Sequence, residues 1–117
     1  MSERGATAAL KDILEAIDRI QRYVSGLSES EFLDHTEKQD AVLRNLEVIG
    51  EAVRSIPSDM RRKYKQVEWS QIAGTRDKLI HHYFGVNWEI VWNVVQEKLP
   101  ALQADVQRIL ADQTREP

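Results

Sequence analysis

The sequence predicts an all-α fold, an antiparallel bundle of four to five helices, and three observations lead there. Apolar residues recur at spacings of three and four along most of the chain, the period of one face of a helix. Strand-like alternation of apolar and polar residues is missing throughout. Five glycines and three prolines in 117 residues are too few for the many tight turns of an all-β domain. The length suits one domain covering residues 1–117, since domains commonly run to about 100–150 residues.

Each element follows from its own residues. Leu10, Ile13, Leu14, Ile17, Ile20 and Val24 form one stripe, predicting a helix from about Ala6 to Ser25. Gly26 stands where a helix favours a C-terminal glycine. Ser28 and Glu31 have the spacing of a capping box, so SESEFLD should form a short helical turn. Thr36 and Gln39 repeat that spacing and are expected to open a second long helix. Its inward stripe is Val42, Leu46, Ile49, Val53 and Ile56, and Pro57 ends it.

The polar stretch Ser58–Glu68 is expected to be a loop with a helical turn in it. A third helix is expected from Trp69 to Phe84, with a break near Gly74. Asn87 is suited to cap a fourth, whose stripe includes Val91, Trp92, Val95 and Leu99. Pro100 must kink or interrupt it, because proline has no amide donor. Leu102, Val106, Ile109 and Leu110 carry an apolar face beyond, and the tail ADQTREP is expected to fray.

Composition narrows the function. Hydrophobic residues make up 42% and charged residues 30%, the balance of a folded globular protein. The N-terminus lacks a basic region followed by an apolar stretch, and no run approaches the roughly 18–20 apolar residues of a membrane span. A cytoplasmic protein that does not associate with membranes is expected. The absence of cysteine removes disulfides, thiolate zinc sites and cysteine nucleophiles. A net charge of −3 argues against a general nucleic-acid coat, while leaving room for a nuclease with a small basic site. Walker, dinucleotide-fingerprint and HExxH motifs do not occur.

The chemistry concentrates in one stretch. Two of the three histidines, His81 and His82, follow Arg76 in Gly74-Thr-Arg-Asp-Lys-Leu-Ile-His-His-Tyr-Phe-Gly85. Imidazole exchanges protons near neutral pH, and guanidinium holds phosphate through paired hydrogen bonds. Together they suit transfer at a phosphodiester, with the histidine accepting a proton from a hydroxyl and the arginine balancing transition-state charge. On one straight helix, at ~100° per residue, Arg76 and His81 would lie about 140° apart, whereas Arg76 and Tyr83 nearly share a face. Either Arg76 begins a helix with freedom to turn, or a second chain completes the site. A charged, solvated helix face is the plainer reading of the same residues.

Other clusters carry weaker signals. Glu47 and Glu51 have the spacing to share a metal, but the flanking Arg44 and Arg54 favour a charged helix face. His35 with Asp34 and Glu37 could bind a metal, or could shape the turn before Thr36. Trp69, Trp88 and Trp92 could stack on bases, although the spacing of Trp88 and Trp92 favours core packing. Arg61, Arg62, Lys63 and Lys65 read as a solvated run that could also contact phosphates.

Arg76-x4-His81-x-Tyr83 resembles the RX4HXY motif of HepT toxins, members of the HEPN superfamily of helical ribonucleases and nucleotide-linked domains. The resemblance extends along most of the chain. Gly26-Leu27 with Glu31-Phe32-Leu33 is similar to the family's first connection, and Ala41-Val-Leu-Arg-Asn-Leu-Glu-Val-Ile-Gly-Glu-Ala52 to its second-helix signature. Trp69-Ser-Gln-Ile-Ala-Gly74 leads into the motif, and Phe84-Gly-Val-Asn-Trp-Glu-Ile-Val-Trp92 follows it. The resemblance implies a HEPN-type bundle that dimerises so that both motifs share a cleft. It also implies a metal-independent endoribonuclease with no cofactor, acting on RNA and not DNA, with Arg76 and His81 as the catalytic pair. Asp77 matches the polar residue that often follows the arginine, and His82 stands at the variable position; both are auxiliary. HepT toxins are neutralised by a minimal nucleotidyltransferase antitoxin that transfers AMP to the motif tyrosine, here Tyr83. The alternative is a non-catalytic HEPN module that binds a nucleotidyltransferase or a nucleotide.

Overall fold

The computed structural model describes residues 3–75 and 85–115. Among them the structure is helical, with no extended strand, as the apolar periodicity predicts. Helix α1 spans Glu3–Val24, α2 Glu29–Leu33, α3 Thr36–Arg54, α4 Ser58–Lys63 and α5 Trp69–Ala73. After residue 84 come α6, Trp88–Asn93, a π-helical segment Val94–Lys98, and α7, Leu99–Arg115.

The core lies where the stripes of α1, α3 and α7 meet. Leu10, Ile13, Ile17 and Ile20 of α1 are fully enclosed, as are Val42 and Val53 of α3 and Val106 of α7. Helix α1 packs against both α3 and α7. Gln21 near the end of α1 meets Gln103 near the start of α7 at 3.2 Å, the pairing expected of antiparallel neighbours. No helix among the described residues is long and apolar enough to cross a membrane.

Short elements are held by specific polar bonds, because five or six residues cannot sustain a helix alone. The Ser28 capping box forms as expected: the Glu31 N–H donates to Ser28 Oγ at 3.1 Å and the Ser28 N–H donates to Glu31 Oε1 at 2.8 Å. These bonds hold the Glu31 carboxyl below its ordinary range, the Ser28 backbone N–H chiefly and its hydroxyl second. A depressed folded-state pKa contributes stability above the unfolded value, lost as pH falls through the folded one. Wild type should therefore melt above Glu31→Gln at pH 7, with the gap closing as pH drops below 4.5. Equal gaps at pH 7 and pH 3 would remove the carboxylate from the cap.

Some local expectations are corrected. The N-cap of α3 is His35 and not Thr36: His35 Nδ1 accepts the Lys38 N–H at 3.3 Å. Gln39 is unavailable for a capping box, because its buried amide donates to the Phe32 and Leu33 carbonyls and closes α2. Ile56 lies beyond the end of α3 yet stays in the core. The tail holds its helix to Arg115, and the Tyr64 hydroxyl reaches Asp112 Oδ2 at 3.2 Å. Asn87 caps α6 through Oδ1, which accepts the Ile90 N–H.

Pro100 interrupts the regular α-helix as expected, and the interruption takes the form of the π-helical segment Val94–Lys98 between α6 and α7. A proline ring collides with the carbonyl four residues back and offers that carbonyl no donor. The widened turn Val94–Lys98, immediately before it, absorbs the misfit; the Leu99 N–H bonds the Val94 carbonyl five residues back.

Candidate active site

The motif residues Arg76, Asp77, His81, His82 and Tyr83 lie outside the described residues, and the structure defines the two ends that lead to them. On the N-terminal side α5 closes at Gly74, where the expected break occurs, and the Thr75 hydroxyl donates to the Gln71 carbonyl at 2.9 Å. On the C-terminal side Gly85 has φ +102°, a conformation L side chains rarely adopt, and Asn87 then starts α6.

The N-terminal approach is fastened to α3. Gly50 is buried, and a Cβ built there would lie 3.3 Å from the Ala73 carbonyl oxygen. One turn further along, Arg54 Nη2 donates to the same oxygen at 3.1 Å, while Nη1 pairs with Glu51. A glycine inside a helix costs about 1 kcal/mol relative to alanine, so Gly50 marks a close backbone approach. That cost was the sequence-level signal for this contact. Arg54 gave none beyond its spacing from Glu51.

Beside this junction lies a cleft of 630 Å³ lined by Asp12, Arg44, Glu47, Glu51, Arg54 and Ala73 among others. Arg44, Glu47, Glu51 and Arg54 follow one another at intervals of three, four and three, which puts them on one stripe of α3. Its walls therefore carry both charge signs, suited to hydrogen-bonding a polar ligand. Among the described residues no group of three or more histidine, aspartate or glutamate side chains gathers as a metal site would require. Glu51 is committed to Arg54, and His35 Nδ1 to its helix cap.

The basic run divides. Arg61 Nε donates to the Ile56 carbonyl at 3.1 Å and Nη2 to the Val53 carbonyl at 2.8 Å, capping the C-terminal end of α3. Arg62, Lys63 and Lys65 are exposed, with Lys63 Nζ 5.4 Å from the Tyr64 ring centre. The first part of this stretch, Ser58–Lys63, forms the short helix α4, the helical turn expected within the loop, and Lys65 lies beyond it. The tryptophans pack as the helical spacing favoured. Trp69 is buried and its indole N–H donates to the Tyr64 carbonyl, while Trp88 and Trp92 sit against Phe32.

A helical bundle that presents one Arg-x4-His-x-Tyr stretch between a glycine-ended helix and an asparagine-capped one has the form of a HEPN-type nuclease domain. The family model described as Ribonuclease HepT-like matches residues 13–109, and the chain belongs to that HepT-like ribonuclease family. Relatives agree over nearly the whole length. "Putative RNase MJ0127" of Methanocaldococcus jannaschii is 45% identical over 112 residues, covering 96% of this chain and 93% of its own. "Putative RNase TTE0752" of Caldanaerobacter subterraneus subsp. tengcongensis is 42% identical over 101 residues, covering 86% and 90%. "Probable ribonuclease HepT" of Thermococcus cleftensis is 40% identical over 100 residues, covering 86% and 91%. No solved structure matches the chain.

Proposed function

We propose that this protein is a metal-independent endoribonuclease, the toxin of a toxin–antitoxin pair, with Arg76 and His81 as its catalytic pair. The observation that carries the reading is the family match over residues 13–109, which encloses the full Arg76-x4-His81-x-Tyr83 motif. The relatives' names, which specify ribonucleases, support it. RNA supplies the nucleophile. The 2′-hydroxyl oxygen forms a bond to phosphorus as its proton passes to His81, and the bond from phosphorus to the 5′-oxygen breaks. The leaving oxygen takes up a proton, so the products are a 2′,3′-cyclic phosphate and a 5′-hydroxyl. Arg76 balances the charge that builds on the phosphoryl oxygens. Asp77 and His82 assist, and the exposed Arg62, Lys63 and Lys65 offer contacts to the RNA backbone. Arg61 is spoken for by the α3 carbonyls and contributes less. A homodimer that joins two motifs in one cleft overcomes the angular separation of Arg76 and His81.

Control falls to Tyr83. A cognate nucleotidyltransferase would deprotonate its phenol, whose oxygen attacks the α-phosphorus of ATP and releases pyrophosphate, leaving AMP on the tyrosine. The adduct's negative phosphodiester would pair with Arg76, and its purine would block the RNA path. Incubation with that enzyme, ATP and magnesium should add the mass of AMP to wild type and abolish cleavage, while Tyr83→Phe stays unlabelled. A labelled phenylalanine variant, or labelled protein with full activity, assigns the switch elsewhere. Cleavage in the presence of chelator, with DNA left intact, supports the ribonuclease reading; a preparation that leaves RNA uncut favours a non-catalytic module that binds the nucleotidyltransferase.

A further inference from the structure

We infer that Arg54, together with Gly50, is a positioning residue for Arg76, an inference that rests on the ribonuclease reading above. The Ala73 carbonyl is the last main-chain acceptor of α5, three residues before the motif arginine. Two independent features of α3 converge on it. Gly50 removes the side chain that would hold the strands of backbone apart, so the Ala73 oxygen can lie against the helix. Arg54 then gives that oxygen a charged donor at 3.1 Å, its fork held in place by the Glu51 carboxylate. Carbonyls at a helix C-terminus carry partial negative charge and lack intrahelical partners, so a guanidinium there is well matched.

Helix α3 is anchored in the core by Val42, Leu46, Ile49 and Val53, whereas α5 has five residues. The Arg54 bond therefore ties the short element that delivers Arg76 to one of the firmest parts of the fold. Arg54 acts on no reacting atom. It sets where the chain leaves α5, and catalytic geometry is sensitive to displacements of about 1 Å.

The contrast with Arg108 supplies the control. Arg108 makes the same kind of exposed ion pair three residues apart, with Asp105 at 3.1 Å, but sits on α7 and pairs there with a carboxylate of its own helix. Arg54→Met keeps the aliphatic stem and removes the donors. It should lower kcat by about 10- to 100-fold with KM changed less than about threefold, and should speed amide hydrogen exchange at Gly74 and Thr75. Arg54→Lys, which restores a donor to the Ala73 carbonyl, should recover much of the rate. Gly50→Ala, which pushes on the same oxygen from the other side, should reproduce the kcat loss. Arg108→Met should match wild type, and circular dichroism should show all four variants folded.

A folded Arg54→Met with wild-type kcat, or with unchanged exchange at Gly74 and Thr75, overturns the inference. So does a rise in KM alone, which would make Arg54 a substrate contact, or a lysine variant as impaired as methionine. If wild type itself cleaves no RNA, the ribonuclease reading falls and takes the positioning role of Arg54 with it. An active wild type with an unaffected Arg54→Met overturns this inference alone.

Discussion

Arg76→Ala and His81→Ala are each expected to lower RNA cleavage by on the order of 10³-fold or more, the loss typical of removing a general acid–base group or a charge-balancing donor. The two losses should not add. Proton transfer and charge stabilisation serve one transition state, so the double variant should be scarcely worse than either single one. Circular dichroism should show both variants folded, so that the loss reads the chemistry and not the fold. The assay is cleavage of single-stranded RNA in excess chelator, with an oligonucleotide carrying a 2′-deoxy residue at the cut site as control. The control should resist cleavage, and the products should end in cyclic phosphate. Activity that appears only on adding a divalent metal, or that survives in both alanine variants, would refute this mechanism.

The largest stability effect is expected from Phe32→Ala, at about 3–5 kcal/mol. Phe32 is fully enclosed although it belongs to a helix of only five residues. Its ring meets Trp88 edge-on, with centroids 6.1 Å apart at 76°, and Trp92 in a tilted arrangement at 5.3 Å. Aromatic pairs of this kind add to the burial itself. Phe32 thus joins α2 to α6, the helix that begins three residues after Gly85, so its loss should loosen the C-terminal side of the motif as well as the core. Denaturant unfolding followed by tryptophan emission reads both effects. Phe32→Leu, which fills part of the space, should cost less than the alanine. A loss below about 1 kcal/mol for Phe32→Ala would mean that α2 contributes little to the fold.

Much of the architecture was legible because its signals are local. The stripes of α1 and α3, the Ser28–Glu31 cap, the glycine at 26 and the Asn87 cap all depend on residues within four positions of one another. Helix chemistry operates over that range, and the structure agrees. The same range explains the misreading at Thr36. Thr36 was read as the cap, and the role falls to the neighbouring His35, with Gln39 turned back to the exposed carbonyls of α2. The motif itself was legible from spacing and resemblance, and the family match spans it.

By itself, then, the sequence determined the helical class, the inward faces, the family and the residues proposed for chemistry, since each is written in residue type and short spacing. The tertiary structure decided what the scattered cations do. Arg54 finds the Ala73 carbonyl 19 residues away and Arg61 that of Val53 eight residues back, although both read as members of charged, solvated stretches. It also decided that Gly50 is a point of contact and that the interruption at Pro100 takes the form of a widened turn. The physical reason is common to all of them. A helix leaves its last carbonyls unpaired wherever it ends, and only packing brings a donor, a glycine or a compensating turn within reach of them.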